Sequence, residues 1–472
     1  MSGQSFLNAT TSSLTERLAQ RLCAPVDAID RERAALLLID WLGCALGALR
    51  SDLGVSLRGL AVDAEAGRCS ALGVGPRRLE DALALNAALG NVLEMDDLHR
   101  EAILHPGPIV IPTALALAQQ RGDDAHALLD AIVRGYEASI RIGRSLGREH
   151  YRFWHPTSTA GTFGAAAAAG SLFKLSPDAL ADALGTAGSS VGGLWQMRHE
   201  PVPTKSLHNA EAARRGLIAA TLAARGLRGP RRILEGEQGL FAATAGDARP
   251  ARVNDDDPAW LIHGTSLKPW PACRHAHPCI DAMRAAWSAA DSDVRAADAI
   301  ERIEIKTYEE AIRFCDRPQP STELEAKFSL QHAAAAVVVL GDPTLSHYLP
   351  AARGRADLAA LRERVTLLND PTFNAAFPKH YGASVRILWR NGRSLLRQVD
   401  DAWGDPEQPL SVAAVNDKMQ RLALWGGVDQ ATALRLIALA QVLVGGGSLE
   451  AFTEELADLR VELGAGVQGS SG

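Results

Sequence analysis

Aromatic side chains are few, 5% of the 472 residues, while alanine and glycine are abundant. A β-rich core draws on aromatic and β-branched residues, so this scarcity favours closely packed helices. Cysteine is scarce too, and Cys23, Cys44, Cys69, Cys273, Cys279 and Cys315 lie scattered along the chain. Thiols so spread argue against a disulfide framework and suit a reducing compartment. The net charge of -6 leaves no basic excess to hold a polyanion, so nucleic acid is not expected as a partner. No uninterrupted apolar run approaches the ~20 residues of a membrane span. The start, Met1 to Asn8, also lacks a basic stretch followed by an apolar one. A soluble, cytoplasmic protein without a membrane partner is the expectation. Nucleotide binding has no support either, because no Gly-x-Gly-x-x-Gly or phosphate-loop pattern follows a strand.

What the chain does hold is a stretch from Asn86 to Gly107 in which an apolar helix runs into Glu94, Asp96, Asp97, His99, Arg100, Glu101 and His105. Three acids so close would repel one another if buried and ionised, so the fold must solvate them or supply cations. The stretch reads as one wall of an active site, with a solvated loop after a helix as the plainer alternative. A second stretch runs from His155 to Gly170. Pro156 and the hydroxyls of Thr157, Ser158 and Thr159 signal a helix start, which places His155 where free N–H groups suit a carboxylate ligand. Satisfying a local hydrogen bond is the other role open to that ring. In a third stretch, Pro203 to Gly216, Lys205 sits at the start of an Ala-rich helix. A cation there opposes the macrodipole, so Lys205 is a candidate ligand contact as well as a surface lysine.

The remaining pattern divides the chain. Helical periodicity covers Ser13 to Arg50, with Gly43 and Gly47 spaced for close helix contact, then Leu79 to Met95, a helix opening at Pro108, and Asp130 to Leu146. Period-two alternation appears in Glu301 to Tyr308, Arg364 to Leu368 and Ala383 to Val399, the last with Asn391-Gly392 as a hairpin turn, and a helix from Thr322 to Leu340 lies between them. The expected fold is mainly α: a large helical domain built from residues 1–265 and 406–463, an α/β lid at 266–405, and a frayed tail at 464–472.

Together these stretches resemble the MmgE/PrpD family over nearly the whole length. The resemblance rests on Glu94-Met-Asp-Asp with His105-Pro-Gly, His155-Pro-Thr-Ser-Thr-Ala-Gly-Thr, Lys205-Ser-Leu-His-Asn, Leu267-Lys-Pro-Trp-Pro-Ala-Cys-Arg-His-Ala-His-Pro, and Glu325-Ala-Lys-Phe-Ser-Leu-Gln-His with Gly341. It implies a helical domain plus lid, a homodimer, no cofactor and no required metal. It also implies chemistry on a small polycarboxylate: dehydration of 2-methylcitrate, decarboxylation of cis-aconitate or epimerisation of iminodisuccinate. By resemblance His105, His155, Lys205 and Lys268 match active-site positions. Imidazole suits proton transfer near neutrality, and Lys205, Lys268 and Arg274 suit carboxylates. Glu94 and Asp96 are further catalytic candidates, and His277 and His332 further substrate contacts.

Three departures separate the chain from the family's decarboxylase pattern. Glu94 and Leu98 stand where Asp and Thr are usual, His332 stands where many members carry Tyr, and the spacing from Asp97 to His105 is about one residue longer, with Arg100 and Glu101 inside it. A dehydratase or hydratase is therefore the leading expectation, an epimerase second, and cis-aconitate decarboxylation the least favoured. A relative that binds a carboxylate without catalysis is the alternative from another class. Metal chemistry at Cys273-Arg-His-Ala-His-Pro-Cys279 or Asp96-Asp-Leu-His99 is disfavoured because the paired ligand spacing of zinc sites is missing. A terpene-synthase-like reading of Asp96-Asp97 fails at Arg100, where a third acid would be needed.

Overall fold

The computed structural model describes residues 12–200, 202–459 and 461, so the expected tail at 464–472 lies outside the described residues. The chain forms two compact units. The first comprises residues up to Val92, Asp96–Thr265 and the chain from Val412 onward, and the second comprises Leu93–Met95 with Ser266–Ser411.

The first unit is helical around Pro156–Leu172, a helix in which nearly every residue is buried. Its Ala and Gly residues present no polar face, which is the pattern of a helix enclosed on all sides. Small residues also set how closely its neighbours approach: a Cβ on Gly135, in the Ala125–Gly143 helix, would lie 2.9 Å from the Gly164 carbonyl oxygen. The Lys205–Ala223 helix packs on the same core through Gly216, whose added Cβ would meet the Ala166 backbone at 2.6 Å. Near the N-terminus the Ala28–Gly47 helix meets the Val412–Trp425 helix so tightly that a Cβ at Gly43 would come within 2.8 Å of the Met419 Cα. The same interface carries a fully buried ion pair, Lys418 Nζ to Asp40 Oδ1 at 2.6 Å.

The second unit holds a four-stranded sheet in the order Val365–Asn369, Ile300–Thr307, Ala383–Trp389, Ser394–Val399. The first pair is parallel and the other two antiparallel. A parallel pair needs a crossover, and the helices between Glu309 and Arg362 supply it. The final hairpin turns at Gly392, where φ is +83°. Ile303, Ile305, Val385 and Ile387 face a core that includes Ile280 and Met283 of the His277–Ser288 helix. Among the described residues no single helix is long and apolar enough to cross a membrane.

Three helix boundaries differ from the sequence expectation. The helix from Leu79 stops at Leu89 rather than Met95. Beyond it the Val92 N–H turns back to the Leu89 carbonyl and the Asn91 side chain accepts from Ser206, so the acids sit on a loop. The helix expected from Asp130 begins at Ala125, because Asp124 caps it by accepting from the Ala127 N–H. The single helix expected over Thr322–Leu340 is two, Glu323–Lys327 and Leu330–Leu340, since Phe328 leaves helical geometry and Ser329 caps the second by accepting from the His332 N–H.

Candidate active site

In the helical unit the loop segment from Asp96 to Gly107 is held by three hydrogen bonds. Its Asp97 carboxylate accepts from the Gly107 N–H at 3.0 Å through Oδ1 and from the Tyr136 hydroxyl at 2.7 Å through Oδ2. Burial pushes Asp97 up to about 7, against the lowering effect of the Tyr136 bond. The His105 backbone N–H donates to Thr157 Oγ1 at 3.1 Å, tying the loop to the start of the Pro156–Leu172 helix. Between Asp97 and His105 the loop closes through a bridge between His99 and Leu104, with Ile103 in the left-handed region at φ +49° and Glu101 turned toward Arg252 at 3.2 Å.

This pinning aims the His105 ring. Its Nδ1 lies 2.6 Å from the Asp97 carbonyl oxygen and 2.9 Å from Asp96 Oδ2. Both neighbours are acceptors, so Nδ1 carries the hydrogen and Nε2 is left for proton exchange.

His155 stands at the N-cap of its helix, its N–H bound to the Gly193 carbonyl at 2.8 Å. The Trp195 ring packs on it with centroids 4.3 Å apart, and its Nδ1 lies 3.2 Å from His208 Nδ1. Burial first, then Lys205, His208 and His105, hold His155 well below the ordinary 6.5 of an imidazole, so at neutral pH it is uncharged. Lys205 is the first residue of the Lys205–Ala223 helix, and it also helps burial lower His208 to about 4. The result is two imidazoles in unlike surroundings, one beside a carboxylate and one beside an ammonium.

The remaining expected residues belong to the second unit. Lys268 is buried and donates to the Glu94 carbonyl at 3.1 Å, with the Glu94 carboxylate 3.8 Å away. Glu94 is itself left-handed at φ +58°, a conformation costly for a side chain of its size and often found at functional positions. Arg274 is paired with Asp405 at 2.5 Å and donates to the Ala402 and Trp403 carbonyls and to His277 Nδ1. The other nitrogen of His277 faces the Ala272 carbonyl at 3.2 Å. His332 bonds the His347 carbonyl through Nε2 at 2.9 Å and meets Arg362 at Nδ1, and burial lowers it to about 4. Arg274, His277 and His332 thus make bonds that fix the second unit's own backbone.

Of the residues weighed as metal ligands, His275 bonds the Tyr308 hydroxyl at 2.6 Å and His99 is lowered to about 3 by burial and by Arg144, Arg100 and Arg252. A group able to converge on an ion lies elsewhere in the second unit, at His380, Asp401 and Glu407.

Sequence reasoning missed Tyr136, Trp195 and His208 as parts of this arrangement. Tyr136 and Trp195 belong to no motif. His208 lay within Lys205-Ser-Leu-His-Asn, and its spacing of three from Lys205 on one helix face was the available signal.

Comparison with known proteins extends these observations. The MmgE/PrpD N-terminal domain matches residues 18–252 and the MmgE/PrpD C-terminal domain residues 270–443. The chain is similar to the cis-aconitate decarboxylase of Mus musculus, 28% identical over 72% of this chain and 70% of that one. It is similar to the cis-aconitate decarboxylase of Homo sapiens, at 27% over 74% of each. It also resembles a cis-aconitate decarboxylase-like protein of Aspergillus oryzae, at 26% over 84% of this chain and 87% of the relative.

Proposed function

The chain belongs to the MmgE/PrpD family, and from that premise we propose that it is a lyase that moves protons on a small polycarboxylate without a cofactor. One observation carries the reading: the helical unit holds a half-buried imidazole, His105, and a fully buried one, His155, near each other and gives them opposite electrostatic neighbours, Asp96 for His105 and Lys205 for His155. A neutral imidazole held away from protonation is a base at neutral pH, and a second one oriented by a carboxylate is its acid partner. Dehydration needs both acts, removal of a proton from carbon and delivery of one to the departing hydroxyl. In this reading His155 takes the proton, and His105 enters the step with a proton on Nε2 as well, gives that one to the departing hydroxyl and keeps the hydrogen that Nδ1 shares with Asp96 and the Asp97 carbonyl. Lys205 holds a substrate carboxylate.

Decarboxylation of cis-aconitate is the second reading, favoured by the names of the three relatives. Glu94 and Leu98 count against it, since a carboxylate displaced by ~1 Å changes the pose on which rate depends.

Proton NMR in D2O with 2-methylcitrate, citrate, cis-aconitate and iminodisuccinate distinguishes these. Loss of water to a new vinyl signal is the expected result. Carbon dioxide released from cis-aconitate would favour the second reading, deuterium at the α-carbon without a vinyl signal would mark an epimerase, and no change in any of them would refute proton chemistry on this class.

A further inference from the structure

The proton that His155 accepts has to leave it again, and the surroundings of that ring make staying unfavourable. The ring is buried, and the charged or titratable groups near it are Lys205, His208, His105 and Asp96. Three of the four disfavour an imidazolium there. One route out is drawn in the geometry, because His155 Nδ1 and His208 Nδ1 are 3.2 Å apart. Two imidazole nitrogens at that distance share one hydrogen, and whichever ring carries it donates to the other.

We propose that His208 is a proton-relay residue that acts through His155, an inference that rests on the proton-transfer reading above. With the hydrogen on His155 Nδ1, the Nε2 lone pair is bare and serves as the base. When Nε2 takes a proton from substrate carbon, the N–H bond at His155 Nδ1 breaks and that proton moves to His208 Nδ1. His155 ends neutral, now with its hydrogen on Nε2, and His208 carries the charge. His208 then releases its Nε2 proton to water, a step its half-buried position permits. The pair resets after product leaves: His155 gives its Nε2 proton to water entering the site, His208 takes a proton from water at Nε2 and returns its Nδ1 proton to His155 Nδ1, so the net transfer is one proton from substrate to water. No oxidant or further reactant is required.

Other contacts hold the pair in place. Trp195 fixes the plane of the His155 ring, and the Ser158 hydroxyl donates to the His208 carbonyl at 3.4 Å. Gly193, at φ +105°, brings its backbone past both rings: a Cβ there would lie 2.7 Å from Ser158 Cβ and 3.4 Å from His208 Nδ1. Lys205 and Arg215 are the cations facing His208, and they favour quick release of the transferred proton.

Two measurements on the full chain test the proposal. Nitrogen-15 NMR of histidine-labelled protein, with His155→Ala and His208→Gln for assignment, is expected to show coupling between the two Nδ1 atoms across the hydrogen bond; its absence overturns the relay. In kinetics, His208→Gln can turn its side-chain carbonyl to His155 as an acceptor for the Nδ1 hydrogen yet cannot take up a proton, so kcat is expected to fall ~100-fold with KM within about twofold, the scale of a lost acid/base group. Free imidazole is expected to restore at least about tenfold of the loss in His208→Ala. Wild-type turnover in His208→Gln, or a His208→Ala variant that loses its melting temperature and gains nothing from imidazole, overturns the relay. A wild type silent on every polycarboxylate sinks the relay too, and intact coupling then marks the proton-transfer reading as the fault.

Discussion

At the scale of single residues, the question is what keeps His155 a base. Burial is the larger cause and Lys205 the next, so replacing Lys205 by Met removes a cation without opening the site. The His155 ring is needed uncharged, so activity falls where it protonates, and in the wild type that limb lies well below 6.5. In Lys205→Met the acid limb of kcat/KM is expected to move upward in pH. The plateau should also drop by roughly 10- to 100-fold, the worth of one charge-assisted hydrogen bond of ~1.5–3 kcal/mol. A pH–rate profile checks both, and an unmoved acid limb would separate Lys205 from His155. His155 and Lys205 were visible in the sequence because Pro156 and the run of hydroxyls announce a helix start and a lysine is out of place at one. Tyr136 was not, since a tyrosine inside an amphipathic helix looks like any core aromatic until Asp97 is seen against its hydroxyl.

At the scale of elements, close approach and charge meet at the contact of Ala28–Gly47 with Val412–Trp425. Gly43 lets the helices touch, and Asp40 and Lys418 lie fully buried between them, with burial raising Asp40 against the pull of Lys418. Removing one partner strands the other. Lys418→Met is expected to cost about 3–5 kcal/mol in urea unfolding, whereas Asp40→Leu combined with Lys418→Met should recover most of that loss. A double variant as weak as the single one would show that the pair itself, rather than the stranded charge, holds the helices. The glycine spacing here is legible in the sequence, because small residues four apart have few other uses in a buried helix. The pairing of Asp40 with Lys418 is not, for the two are 378 positions apart and each reads alone as an interruption of an apolar face. The end of the Leu79–Leu89 helix is hidden for a related reason. Its Ala and Leu residues continue in pattern past the point where Asn91 is drawn aside by Ser206, a contact distant in sequence.

At the scale of the whole chain, the many depressed histidines set the response to acid. His150, between the hydroxyls of Thr244 and Thr159, is lowered to about 4, as are His208 and His332, and His99 goes to about 3. Their unfolded counterparts titrate near 6.5. Between those values the unfolded chain binds more protons than the folded one, so stability rises with pH and is lost as pH falls from 6.5 toward 4. Each excess proton contributes a slope of up to ~1.4 kcal/mol per pH unit. Asp97 works the other way. Raised to about 7, it gives the folded state the extra proton between about 4 and 7, so its contribution declines as pH rises, and Asp40 and Asp281 are raised as well. The histidines outnumber these carboxyls and include the strongly buried His155, so the net slope is positive. Urea unfolding is expected to show lower stability at pH 5 than at pH 7. His150→Gln keeps a hydrogen-bonding side chain between the two threonines without a titrating ring, so it should flatten that dependence by about one proton. A stability that is level or rising toward pH 5 would mean that the buried carboxyls, led by Asp97, outweigh the histidines in the proton balance of folding.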